Sequence, residues 1–134
     1  MKSIKDPRHK ARMRLVENLY AKRVNPETQE LPDNIYKFDK DLYSRIFTVI
    51  NDHTDEIESL IEDIAQRKIK DIKNIEYIIL LISLSESYFS DITPYKVAID
   101  EAIELSREYG DEASAQFIAG VLGAAFDKKN KTQS

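Results

Sequence analysis

Few residues in this 134-residue chain could carry acid–base, nucleophilic or metal chemistry. There is no cysteine, which removes thiolate nucleophiles, disulfides and cysteine-based zinc sites. The two histidines are His9, set among Arg8, Lys10 and Arg12, and His53, which falls on an apolar helical stripe. A catalytic histidine needs a polarised partner within hydrogen-bond reach. Isolated histidines are common and a catalytic one is recognised by its geometry, so a structural or surface role is expected for both. Carboxylates four residues apart, such as Glu58 with Glu62, Asp100 with Glu104 and Glu104 with Glu108, could in principle ligate a hard cation. No Asp-x-Asp-x-Asp-Gly loop and no Glu-x-x-His accompanies them, so they read as solvated helix faces and no metal site is expected. Gly-rich phosphate loops are absent as well, and no cofactor is expected. The chain reads as a binding protein, not an enzyme.

The binding chemistry the sequence does offer is cationic. Net charge is −4, but residues 1–23 carry eight Lys or Arg against Asp6 and Glu17, while the remainder carries twelve basic and twenty-two acidic side chains. Positive charge concentrated at one end suits phosphate oxygens, so RNA or another polyanion is the expected ligand. The start of the chain lacks the apolar core of a signal peptide, and no stretch approaches the ~20 apolar residues of a membrane span. A cytoplasmic protein with no membrane contact is expected.

These cations must be mounted on helices. Three glycines, four prolines and apolar residues recurring at spacings of three and four indicate an all-α fold. Asp6-Pro7 starts a first helix expected over Pro7 to Arg23, with Ala11, Leu15, Leu19, Val16 and Tyr20 on one stripe. Asn25-Pro26 stops it, and a polar loop follows. Leu42 to His53 and Ile57 to Ile64 predict two further helices that could be nearly continuous, with Thr54 a possible cap between them. Arg67 to Lys73 reads as a linker. Asn74 caps the apolar helix that follows; eight of the ten residues from Ile75 to Leu84 are apolar, which suits a buried helix. Thr93-Pro94 starts the next helix, Gly110 stops it, and Ser114 caps a last one. Gly120 and Gly123 inside that helix suggest close approach of a neighbour.

The stretch Pro94–Leu122, PYKVAIDEAIELSREYGDEASAQFIAGVL, resembles the C-terminal signature of the NusB family of bacterial transcription antitermination factors. The family pattern is close to PYKVAINEAVELAKKFG, then a few residues, then S-x-KFVNGVLDK. Near the start, RHKAR from Arg8 to Arg12, followed by Leu19-Tyr20-Ala21, is similar to the family's RRKAR…LYQ helix. The resemblance implies one NusB-like domain over 1–134, built of two packed three-helix-type bundles (about 7–67 and 72–128) with six to seven helices and a flexible tail at 129–134. It further implies binding of single-stranded boxA RNA together with NusE, a small-subunit ribosomal protein, and entry of the pair into the antitermination complex on RNA polymerase at ribosomal RNA operons. RNA contacts carry over to Arg8, His9, Lys10, Arg12, Tyr20 and Phe117, and Glu86 matches an acidic residue that faces NusE. His9 stands where a second arginine is usual, Gln116 and Ala119 replace a lysine and an asparagine, and Glu17 lies on the expected RNA face. An alternative stays open: a NusB-like protein-interaction domain with weakened or lost boxA binding.

Overall fold

The computed structural model describes residues 6–32 and 35–133. Five α-helices and one 3-10 turn make up the ordered secondary structure among them, with no strand. Helix α1 spans Pro7–Val24 and begins as expected: the Asp6 carboxylate accepts the Arg8 N–H at 3.0 Å, and Pro7 occupies the first turn, where its missing donor costs nothing. Helix α2, Lys40–Ala65, is one continuous 26-residue helix where two were expected. Thr54 does not cap a second helix. Its hydroxyl turns back to donate to the Ile50 carbonyl at 2.5 Å, which leaves the backbone ladder uninterrupted. The helix ends on Gln66, which takes a left-handed conformation at φ 55°. The 3-10 turn Ile69–Asp71 lies within the expected linker.

Helix α3 (Asn74–Ser87) begins where expected, but Asn74 is its first residue and makes no cap; its side-chain oxygen instead accepts the Arg23 Nε–H at 2.8 Å. Helix α4 (Tyr95–Tyr109) follows Pro94, and Thr93 is buried beside Arg12 without capping it. Helix α5 (Glu112–Gln133) is started by Asp111, whose carboxylate accepts the Ser114 N–H at 2.8 Å. Ser114, expected as the cap, lies in the first turn and donates its hydroxyl to buried Glu76 at 2.8 Å. The helix also runs on to Gln133, through most of the segment expected as a flexible tail. Two lysines hold it near that point: Lys128 donates to Asp63 at 2.8 Å and Lys129 to the Tyr88 carbonyl at 2.6 Å. A Cβ built on Gly120 or Gly123 would meet nothing within 4 Å, so among the described residues no helix makes the close approach expected there.

The apolar cluster is continuous through all five helices, from Ala11, Leu15 and Val16 of α1 to Ile118, Val121 and Leu122 of α5. At its centre α3 packs against each of the other four helices and buries every residue from Glu76 to Ser87. Complete burial of each large aliphatic side chain here contributes roughly 1.5–3 kcal/mol. No helix among the described residues is long and apolar enough to cross a membrane.

Candidate nucleic-acid interface

The rotation of α1 about its axis decides which of its cations reach solvent. With Leu15 and Val16 in the core, Arg12 one turn before them also turns inward, and His9 one turn before Arg12 follows it, to 2% and 3% exposure respectively. The Arg12 guanidinium donates from Nε to both oxygens of Glu86 at 3.1 and 2.9 Å, and from Nη2 to Glu86 Oε1 at 2.7 Å; its Nη1 lies 3.6 Å from Glu101. Glu86 itself is only 1% exposed. A buried carboxylate and guanidinium each cost several kcal/mol of hydration, which only such a multiply bonded pair can offset.

His9 extends the same network towards the surface. Its Nδ1 lies 2.8 Å from Glu101 Oε2 and its Nε2 2.6 Å from Glu108 Oε1. Burial alone lowers the imidazole pKa, but the hydrogen bond to Glu101 and the charges of Glu108 and Glu101 outweigh it and raise the pKa above its ordinary 6.5. Glu104, one turn before Glu108, completes a group with metal-ligand chemistry: the nearest ligand atoms of His9, Glu104 and Glu108 all lie within 4.8 Å of one another.

Expected RNA contacts therefore divide in two. His9 and Arg12 face the interior, their surface role replaced by bonds to carboxylates 74 to 99 residues away in sequence. Glu86, expected to face a partner, is likewise committed inward, and its backbone carbonyl accepts the Thr93 N–H at 2.8 Å to shape the turn before α4. Arg8 is exposed, 4.0 Å from Asp39, and Lys10 is half-buried with its ammonium 5.9 Å from the Tyr36 ring centre. Arg14 is buried beneath the loop after α1, donating to the carbonyls of Leu31 and Pro32 and lying over Tyr36 and Phe38.

Tyr20 is 42% exposed and helps to line a groove of about 710 Å³ with Val16, Glu17, Lys73, Asn74 and Tyr109. Glu17 does not present a free charge to this groove. It accepts the Tyr36 hydroxyl at 2.7 Å and the Tyr109 hydroxyl at 2.6 Å, and burial together with these bonds pushes both phenol pKa values upward. Phe117 is half-buried against the core, and the Arg67 guanidinium sits 4.9 Å from its ring centre. Sequence reading missed Lys73, Asn74 and Tyr109, which it treated as linker, cap and apolar stripe. Arg23, one of the cations counted over residues 1–23, has its guanidinium 4.2 Å from the Tyr77 ring centre while its Nε–H reaches Asn74. The one available signal was the basic composition of residues 67–73.

The NusB family profile matches residues 8–127. This chain belongs to the NusB family. The transcription antitermination protein NusB of Idiomarina loihiensis is 32% identical over 133 residues, covering 94% of this chain and 96% of that protein. The T. maritima NusB structure superposes with a TM-score of 0.78 at 23% identity, covering 98% of this chain and 100% of that one. A complex of the antitermination factors NusB and NusE with double-stranded RNA gives a TM-score of 0.77 at 22% identity, covering 90% of this chain and 96% of the matched one. The NusB fold thus accounts for all five helices, with α3 as the shared centre of what was expected as two bundles.

Proposed function

We propose that this NusB-family chain is a bacterial transcription antitermination factor that acts by binding, without catalysis, in the cytoplasm. It engages single-stranded boxA-like RNA together with NusE as part of the antitermination assembly on RNA polymerase. The near full-length match to an antitermination protein supports the cellular role. The observation that carries the RNA reading is the groove beside exposed Tyr20, with Lys73 and Asn74 on its wall and Arg23 bonded to Asn74. Unpaired bases stack on aromatic faces for about 1–3 kcal/mol each, amides read base edges, and lysines take the phosphates between. Arg8 and Lys10 supply further phosphate contacts on α1, and Phe117 offers a second ring once Arg67 shifts to follow the backbone. His9, Arg12 and Glu86 serve from inside: they set the rotation of α1 and the turn before α4, so their influence on RNA and on NusE is indirect.

The test is a titration of boxA-containing single-stranded RNA, with and without NusE, at two salt concentrations. Each phosphate contact adds about −0.7 to the slope of log affinity against log salt, so Arg8→Ala with Lys10→Ala flattens it by about 1.4. Tyr20→Ala weakens binding by about 1–3 kcal/mol at either salt concentration. Unchanged affinity in Tyr20→Ala and Lys73→Ala removes the groove from the interface. Absence of RNA binding even with NusE supports the alternative of a protein-interaction domain that has lost boxA.

A further inference from the structure

The contact between α1 and α4 holds the elements of a metal site of which the sequence offered only the Glu104–Glu108 spacing. Glu104 and Glu108 lie four residues apart on α4 and so share a face. From α1, His9 reaches across to them, and the nearest ligand atoms of all three residues fall within 4.8 Å of one another. Glu101, on the same face of α4 but deeper, is not part of that group. Its Oε2 lies 2.8 Å from His9 Nδ1, and its side chain is only 2% exposed. A carboxylate at that nitrogen requires Nδ1–H, so in the neutral ring the lone pair sits on Nε2, aimed at Glu108. A histidine that donates one ring N–H to a buried carboxylate while offering the other nitrogen is how metal-ligating imidazoles are commonly oriented.

We propose that His9 Nε2 and one carboxylate oxygen each from Glu104 and Glu108 bind a divalent transition ion of the zinc class, with Glu101 orienting the imidazole from behind. Imidazole ligation favours such ions over magnesium or calcium, which prefer all-oxygen sites. Ligand bonds of about 2.0–2.2 Å place neighbouring ligand atoms about 3.3 Å apart, so the 2.6 Å contact between His9 and Glu108 opens and Glu104 swings in. Both glutamates have room for this. Glu108 is about one-third exposed, which also provides the entry path, and Glu104 makes no hydrogen bond or ion pair with the described residues. Three protein ligands leave a fourth position for water. The ion staples α1 to α4 beside Arg8 and Lys10 and fixes the start of the basic helix. An arginine at position 9, usual in the patterns this sequence resembles, has no lone pair to offer, so the site belongs to this chain and not to the fold.

The experiment is a calorimetric titration of the tag-free full chain, stripped with chelator, with Zn²⁺ and separately with Mg²⁺ at pH 7.5. One equivalent of Zn²⁺ binds with release of protons, and the Mg²⁺ titration shows no saturable binding. Glu104→Gln has no partner to lose among the described residues and keeps the fold, yet binds Zn²⁺ at least 10-fold more weakly. Glu101→Gln loses 10- to 100-fold through disorientation of the ring. His53→Ala, which removes the other histidine–carboxylate pair, His53 with Glu56, binds as the parent does. The proposal is overturned by absence of a one-equivalent Zn²⁺ site, by parental affinity in Glu104→Gln, or by loss of binding in His53→Ala.

Discussion

Arg12 is where surface and interior readings of a single residue come apart most sharply. A guanidinium that only contacted RNA could be truncated with little effect on folding. Arg12→Met instead leaves Glu86 buried without its partner and is expected to cost roughly 3–5 kcal/mol, read as a lowered urea midpoint at unchanged slope. Arg12→Met combined with Glu86→Leu removes both charges and recovers most of that loss, because desolvation of the pair consumes much of what its attraction returns. A small stability change in Arg12→Met, with RNA affinity lost, would restore Arg12 to the surface. The position was partly legible. Arg12 precedes Leu15 by three residues and Val16 by four, so it lies on the apolar stripe of α1, and the burial of those two residues carries it inward. What one sequence does not reveal is that carboxylates 74 and 89 residues further on wait at the same point.

At the scale of elements, helix periodicity was read well and helix caps were read poorly. Asp6 caps as expected because Pro7 behind it admits few alternatives. Ser114, Thr93 and Asn74 were equally good cap types, but each hydroxyl or amide found a tertiary partner in Glu76, Arg12 or Arg23. Asp111 took the cap of α5. Its backbone bonds to Ser114 hold its pKa below the usual 3.8, so its contribution is full above that value and fades as pH falls through the lower folded value. Asp111→Ala is therefore less stable than the parent at pH 7, and the difference in thermal midpoint narrows as pH falls below 3.8. Gly120 and Gly123 lie mid-helix in α5 with open space where a Cβ would stand. Replacing either by alanine is expected to stabilise the chain by about 1 kcal/mol, seen as a raised midpoint in urea. A loss of stability in either variant would mean that a neighbour approaches more closely than the structure has it.

The whole molecule depends on one helix that has no solvent face beyond its first two residues. Residues Glu76 to Ser87 of α3 are all buried, and the helix packs on α1, α2, α4 and α5 alike. Its near-continuous apolar run was visible in the sequence, which placed it in the interior, but periodicity cannot tell a helix shared by two bundles from one that belongs to either. The polar residues on α3 sharpen the point. Glu76 bonds to Ser114 of α5, Ser83 to the α4 backbone, and Glu86 to Arg12 of α1, so these three buried polar groups each depend on a different neighbour. Separating 7–67 from 72–128 would expose one apolar side of α3 and strand at least one of these groups without its partner. The halves are therefore expected to unfold together. Helical circular dichroism and the summed intrinsic fluorescence of the seven tyrosines, which include core Tyr77 bonded to Glu58 of α2, should give coincident urea transitions, with calorimetric and van't Hoff enthalpies equal. A segment of residues 72–134 expressed alone should show little cooperative structure. Two resolved transitions, or a cooperatively folded segment, would mean that the bundles are separate units that merely touch, and that Arg12–Glu86 is a contact between domains and not the centre of one.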